Sequence, residues 1–196
     1  MSVCVVGAGG HAKVIIALIE ASGGRVGGVY DADVARVGSL ILGHCVQALS
    51  ELGASDDVVV AIGGNRVRQQ VAAELFAYRF VSLVHPLAWV APTAKILPGA
   101  VVFAGAVVQP DAVVGAHAIV NTGASVDHDC VLGEFVHLGP GSHLAGNVVV
   151  DDGAFLGVGV SVIPGKRIGR WAVVGAGAVV VDDIADDVIV KGVPAR

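Results

Sequence analysis

The sequence predicts an α/β half-fold followed by a parallel β-helix. Three observations carry that prediction. A six-residue period runs unbroken over residues 88–183. A glycine-rich turn joins an apolar strand to an apolar helical pattern at the N-terminus. Glycine supplies 28 of 196 residues, about twice ordinary usage, so the backbone must turn often or pack closely.

Composition narrows the classes further. Hydrophobic residues make up 55% and charged residues 15%, which excludes a disordered chain. A mean hydropathy of +0.78 invites a membrane reading. The longest run without Asp, Glu, Lys or Arg is residues 135–150, and it contains His137, Pro140, His143 and Asn147. A spanning helix needs about 20 mostly apolar residues, so none is expected. The chain enters an apolar strand directly after Met1 with no basic segment, so no signal peptide is expected and the protein should be soluble and cytoplasmic. Twelve basic against seventeen acidic residues give a net charge of −5, which disfavours nucleic acid as a partner. Cys4, Cys45 and Cys130 are odd in number and far apart, and read as reduced, buried small hydrophobes.

The first element is an apolar strand at residues 3–6. Gly7-Ala8-Gly9-Gly10-His11 and a helical pattern through Val14, Ile15, Leu18 and Ile19 follow it. Glycines at such a turn let phosphate approach the amides of a helix N-terminus. A second strand over 25–30 ends in Asp31 and Asp33, where an acidic residue can reach a ribose or base. A third strand over 58–62 ends in Gly63-Gly64-Asn65 before a helix over 66–76. The expected order is βαβαβ, with all three loops at carboxyl ends of strands, where open α/β sheets bind ligands. A tight turn without a ligand is the plain alternative. A full dinucleotide enzyme is disfavoured because about eighty residues supply only half of such a fold.

From Ala88 the chain divides into sixteen hexapeptides. The third position, from Val90 to Val180, is Ile, Leu or Val in all of them. The first position is Ala, Cys, Ser or Val except at Lys166. Side chains alternate along an extended segment, so positions one and three point to one side and fill an interior. Gly, Pro, Asn and Asp crowd positions four to six, where the chain must turn.

These hexapeptides resemble the left-handed β-helix of the hexapeptide acyltransferases, and the closing GVPAR resembles endings common in them. The resemblance implies the left-handed turn and three hexapeptides per coil. With the preceding half-fold, the whole chain resembles the sugar acyltransferases of the sialic acid O-acetyltransferase family. That family includes N-acetyltransferases of nucleotide-linked 4-amino sugars, such as the bacillosamine pathway enzyme. It implies residues 1–84 as a nucleotide-sugar-binding domain and 85–196 as the acetyltransferase domain. Acetyl-CoA is the implied co-substrate, with no metal. Gly9, Gly10, His11, Asp31, Gly64 and Asn65 are then expected to hold the acceptor's nucleotide and phosphates.

Asp127-His128-Asp129 occupies a turn, and its side chains can face outward. Acetyl transfer needs a base for the nucleophile's proton, and a histidine near neutrality suits that role. The stretch NTGASVDHDCVLGEFVHLGPG resembles the family's catalytic segment, which assigns His128 as base and Asp129 as its acidic partner. The family often has Glu there, one methylene longer. One coil later, Gly146 shares a column with His128, and the resemblance makes its amide the oxyanion donor, worth about 3 kcal/mol. The resemblance places His137 on acetyl-CoA across a subunit boundary in a homotrimer, and Asn121 near the sugar. Cys130, inward beside the base, is expected to pack only. His117 and His143 are expected to be solvated.

No basic residue falls between Lys95 and Lys166. Coenzyme A phosphates are therefore expected near Lys166, Arg167 and Arg170, with Lys191 and Arg196 beyond. Two other classes stay open. One is a zinc enzyme like the γ-class carbonic anhydrases, which share this helix and use three histidines. The other is a non-catalytic nucleotide-sugar scaffold. Within the family, O-acetylation of sialic acid is the alternative to N-acetylation.

Overall fold

A computed structural model of the chain describes residues 1–53 and 57–196. The N-terminal part is a six-stranded sheet. Strands β1 (Ser2–Val6), β2 (Arg25–Asp31), β3 (Leu40–Ile41), β4 (His44–Ala48), β5 (Asp57–Val60) and β6 (Arg79–Phe80) lie in the order 3-4-2-1-5-6. All neighbours run parallel except the β3–β4 pair. Helix α1 (Gly10–Ala21) follows β1, and α2 (Asn65–Glu74) follows β5.

The βαβαβ expectation needs one correction. No α-helix is found between β2 and β5 among the described residues; the β3–β4 hairpin lies in that interval. Its turn uses Leu42 and Gly43, both at positive φ (46° and 83°). A Leu at a left-handed position is uncommon, so the usual Asn-Gly signal is missing. Cys45 sits on this hairpin and is exposed, whereas Cys4 and Cys130 are buried.

The rest is a left-handed parallel β-helix of triangular section. Two-residue strands stack into three sheets. The first begins at Leu83–Val84 and includes Val101–Val102, Ile119–Val120, His137–Leu138 and Phe155–Leu156. The second holds Ser125–Val126 and His143–Leu144, and the third Val131–Leu132 and Val149–Val150. Partners are eighteen residues apart, as in Val101 with Ile119, so three hexapeptides make a coil. The helix opens before the hexapeptide frame does, at Leu83. At its far end the spacing drops to sixteen, as in Val173 with Ile189, which marks a two-residue deletion.

Positions one and three fill the interior, from Ala100 and Val102 to Ala178 and Val180. Ser142 takes one inward position, where its hydroxyl donates to the Gly157 carbonyl and accepts from the Val160 amide. From Gly99 to Gly177 every sixth residue has positive φ. The three corners use different residues there. The corner after the first sheet is all glycine (Gly105, Gly123, Gly141, Gly159, Gly177). The corner after the second carries Asp111, Asp129, Asn147 and Gly165, and the corner after the third carries Gly99, His117, Phe135, Gly153 and Trp171.

The N-terminal part packs on the outer face of the first sheet. Val101, Phe103 and Ile119 join the cluster formed by β1 and α1 through Val3, Ile15 and Ile19. Among the described residues no helix is long and apolar enough to cross a membrane.

Candidate active site

His128 and Asp129 stand at the corner after the second sheet, and both side chains are about half exposed. Asp129 is left-handed (φ 59°), a conformation that Asp tolerates better than most residues. Its Oδ2 lies 2.8 Å from His128 Nδ1. An ionised carboxylate only accepts, so Nδ1 carries the proton and Nε2 presents its lone pair. The Asp129 hydrogen bond raises the ring's pKa above the ordinary histidine value, with the Asp127 and Asp129 charges adding to it. The Asp127 carboxylate caps the His128 amide.

Nε2 faces Gly146, the residue one coil on. A Cβ at Gly146 would stand 2.5 Å from Nε2, so only glycine admits the ring in this position. No protein acceptor for the Gly146 amide is found among the described residues. Cys130 is buried beneath the pair; its thiol donates to the Ala145 carbonyl, and burial pushes its pKa up. That thiol is packed and protonated, not poised to attack.

The glycine loops lie elsewhere, at the carboxyl end of the N-terminal sheet. Gly7 to His11, Asp31, Arg36 and Ala61 to Gly63 line a cavity of about 300 Å³. Gly7 is glycine for structural reasons, since its φ is +105° and a Cβ would meet Ile62 at 2.9 Å. Gly9, Gly10 and Gly64 differ. None has positive φ, and a Cβ on any of them would meet nothing within 4 Å. The chain's own packing does not demand glycine there, and close approach by a ligand would. The Asp31 carboxylate accepts from the Ala8 and Asp33 amides, so it also shapes the loop.

Other expected residues serve the seam between the two parts. Asn65 is buried and turned to the β-helix, donating to the Gly153 and Ala154 carbonyls. His137 is also buried under the N-terminal part. Its Nδ1 lies 3.1 Å from the Gly63 carbonyl, so Nδ1–H donates and Nε2 accepts from Asn121 at 3.0 Å. Burial holds the His137 pKa down at about 4, and the His11 ring nearby is likewise lowered to about 4. His117 is not solvated as expected. It is buried, stacked on Phe135 and edge-on to Phe80, with its pKa lowered to about 4 by burial. His143 is exposed and bonded to Ser125.

Of the expected phosphate-binding cations, Lys166 lies just beyond Pro164, two coils or about 10 Å along the column of His128. Arg167 is engaged by Asp151 and Asp186. Arg170 belongs to the next corner, near Trp171, and Lys191 and Arg196 bond to each other through their backbones at the last coil. Sequence reasoning missed Arg36 at the glycine loop and four residues nearer the β-helix, Arg66, Arg68, Phe155 and Trp171. Arg66, stacked over Trp171 at 4.3 Å, shares a cavity of about 350 Å³ with Gly63, Gly64 and Phe155. Arg68 is buried in the seam with a guanidinium pKa lowered to about 10 by burial. An Arg-x-Arg at the start of α2 was the available signal.

The chain is similar to known proteins over its whole length. Residues 2–75 match the PglD N-terminal domain. A solved variant of perosamine N-acetyltransferase from Caulobacter crescentus, in complex with CoA and GDP-perosamine, is 44% identical, with a TM-score of 0.93. The match covers 100% of this chain and 96% of that one. The acetyltransferase domain of PglB from Neisseria gonorrhoeae, in complex with acetyl coenzyme A, is 39% identical, with a TM-score of 0.92, covering 100% and 98%. Among curated proteins, the galactoside O-acetyltransferase of Lactococcus lactis is 33% identical over 41% of this chain. The chain spans about half the length of that relative, 47%. The chain belongs to the family of sugar acetyltransferases related to sialic acid O-acetyltransferase, left-handed β-helix proteins with a PglD-type N-terminal domain.

Proposed function

We propose that this chain is an acetyl-CoA-dependent N-acetyltransferase of a nucleotide-linked amino sugar, acting by direct transfer at the 4-amino group. The observation that carries the reading is the His128–Asp129 pair, with Nε2 against Gly146. Nε2 takes the proton as the sugar amine attacks the thioester carbonyl, Asp129 stabilises the imidazolium, and the Gly146 amide meets the developing oxyanion. The tetrahedral intermediate then expels the coenzyme A thiolate, which gains a proton. No acyl-enzyme forms. The ligands in the Caulobacter structure, CoA and GDP-perosamine, belong to these two substrate classes.

Residues 1–84 hold the nucleotide and 85–196 perform the transfer. The N-terminal part covers the first sheet, whereas His128 stands at the opposite corner. A glycine loop and a base so placed cannot share one site within a chain. We infer that the working site lies between subunits, in the homotrimer that the family resemblance implies, with the loops of one chain facing His128 of the next. Val113, Val131 and Val149 stack in register on the outer face of the third sheet and offer that contact an apolar strip. Lys166 and Arg170 take the coenzyme A phosphates, and the enzyme works in the cytoplasm on soluble precursors.

The test is acetyl-CoA with guanosine-, uridine- and thymidine-linked 4-amino sugars and with sialic acid, read by free thiol release. Turnover of at least one nucleotide amino sugar is expected. Release with sialic acid alone would transfer the reading to O-acetylation.

A further inference from the structure

The seam between the two parts holds an ordered ladder. Arg68 is 1% exposed, and its guanidinium meets no carboxylate among the described contacts. Nε donates to the His117 carbonyl at 2.9 Å, and Nη2 donates to the Phe135 carbonyl at 2.8 Å and to Asn65 Oδ1 at 3.0 Å. Asn65 Nδ2 donates in turn to the Gly153 carbonyl at 3.0 Å. His117, Phe135 and Gly153 are left-handed residues of one corner, eighteen apart. Two side chains of α2 thus bind the same carbonyl on three successive coils.

The remaining nitrogen reaches back into the N-terminal part. Nη1 donates to the Ile62 carbonyl at 2.9 Å and the Gly63 carbonyl at 3.1 Å. In a planar trans peptide the carbonyl and the following amide point in opposite directions. Two consecutive carbonyls drawn onto one guanidinium therefore turn the Gly63 and Gly64 amides away from it. Those residues line the adjoining cavities, and neither amide has a hydrogen bond among the described residues. Gly64 is open above its Cα. Consecutive amides aimed outward make an anion-binding concavity.

We propose that Arg68 is a positioning residue: it anchors the 62–64 loop to two coils directly and to a third through Asn65, and turns the Gly63 and Gly64 amides outward as donors for the diphosphate of a nucleotide-linked substrate. The inference rests on the nucleotide-sugar reading above. Its charge stays buried, so its effect is exerted through peptide orientation and not through contact with phosphate. Lysine keeps the charge but has one nitrogen for five bonds.

The experiment titrates the 196-residue chain with GDP, UDP, dTDP and coenzyme A by calorimetry. Arg68→Lys and Gly64→Ala should each weaken the nucleoside diphosphate that binds by tenfold or more and leave coenzyme A within twofold. A folded Arg68→Lys protein with unchanged nucleotide affinity overturns the proposal. Hydrogen exchange on the unmodified protein decides even where the Arg68 variant does not fold. A peptide spanning residues 62–66 should gain protection when nucleotide is added, and nucleotide binding without that protection also overturns it. Failure of the unmodified protein to bind any of GDP, UDP and dTDP sinks the nucleotide-sugar reading itself, and this inference with it.

Discussion

Two corners of the same β-helix repeat one backbone and put it to different use. At the corner after the third sheet, left-handed His117, Phe135 and Trp171 lie beside the N-terminal part, and the His117 and Phe135 carbonyls are taken by Arg68. At the corner after the second sheet, Asp129 and Asn147 have the same φ, but the side chains stand in solvent. The histidines report the difference. Burial drives His117, and His137 on the adjoining first sheet, down to about 4, whereas the exposed His128 is raised by its bond to Asp129. A repeat fixes where a histidine points; what covers the corner decides whether it can carry a proton near neutral pH.

The comparison breaks most visibly at the open corner. His128→Ala should reduce acetyl transfer by roughly 10²-fold or more, measured as kcat under saturating substrates, with coenzyme A binding retained. A folded variant with near-normal turnover removes His128 from the chemistry. Gly146→Ala comes next. Its φ is compatible with alanine, but the new methyl would occupy the space of Nε2. The ring must swing off its Asp129 bond, and kcat should fall by roughly ten- to a hundredfold with the fold retained. Circular dichroism together with kcat checks both halves of that statement.

Asp129→Asn tests why the open histidine is raised. A base works in its neutral form, so kcat/KM rises with pH through the pKa of the ring. Without the carboxylate that pKa drops, and the rising limb of the pH profile should move to lower pH while the plateau falls several-fold. An unmoved limb would assign the titration to another group.

The covered seam makes the opposite pH statement, on stability. His11, His117 and His137 titrate at about 4 in the folded chain against 6.5 when exposed. Their folded pKa values are depressed, so the neutral forms are the native ones. The unfolded chain binds more protons between pH 6.5 and 4, and stability should fall as pH drops through that window. Guanidinium unfolding midpoints at pH 7 and pH 5 measure it, and equal midpoints would contradict it.

The repeat explains what could be read from the sequence. Strand positions, the inward stripe and the His128 turn all follow from a period of six, because each is a local consequence of alternation and turning. The period of eighteen hidden in position six was equally present, with glycine throughout one corner, Asp111, Asp129 and Asn147 before Gly165 at the next, and His117, Phe135 and Trp171 interspersed with Gly99 and Gly153 at the third. What escaped is what depends on contact across the seam. Asn65 looked like a ligand residue because it follows two glycines, yet it turns to Gly153. His117 looked solvated because a turn usually is, but α2 covers it. Neither outcome has a local signature, since the partners are 88 and 49 residues away along the chain.

The smallest expected effect concerns the cations between these two corners. Lys166 lies toward the His128 corner and Arg170 toward the covered one, with Arg167 between them already held by Asp151 and Asp186. Coenzyme A carries several phosphate charges, and the coils from residue 96 to 165 supply no basic side chain. Lys95 stands alone on the N-terminal side of that gap, whereas Lys166, Arg167 and Arg170 cluster on the other, so pantetheine reaching His128 is expected to run toward the C-terminal coils. Lys166→Glu with Arg170→Glu should raise the acetyl-CoA KM several-fold, leave kcat within twofold, and flatten the dependence of KM on salt, because screening acts only where attraction exists. The acceptor KM is the internal control and should not move. An acetyl-CoA KM with unchanged value and salt dependence would mean that backbone amides alone hold the phosphates, and that these cations only solvate the end of an apolar helix.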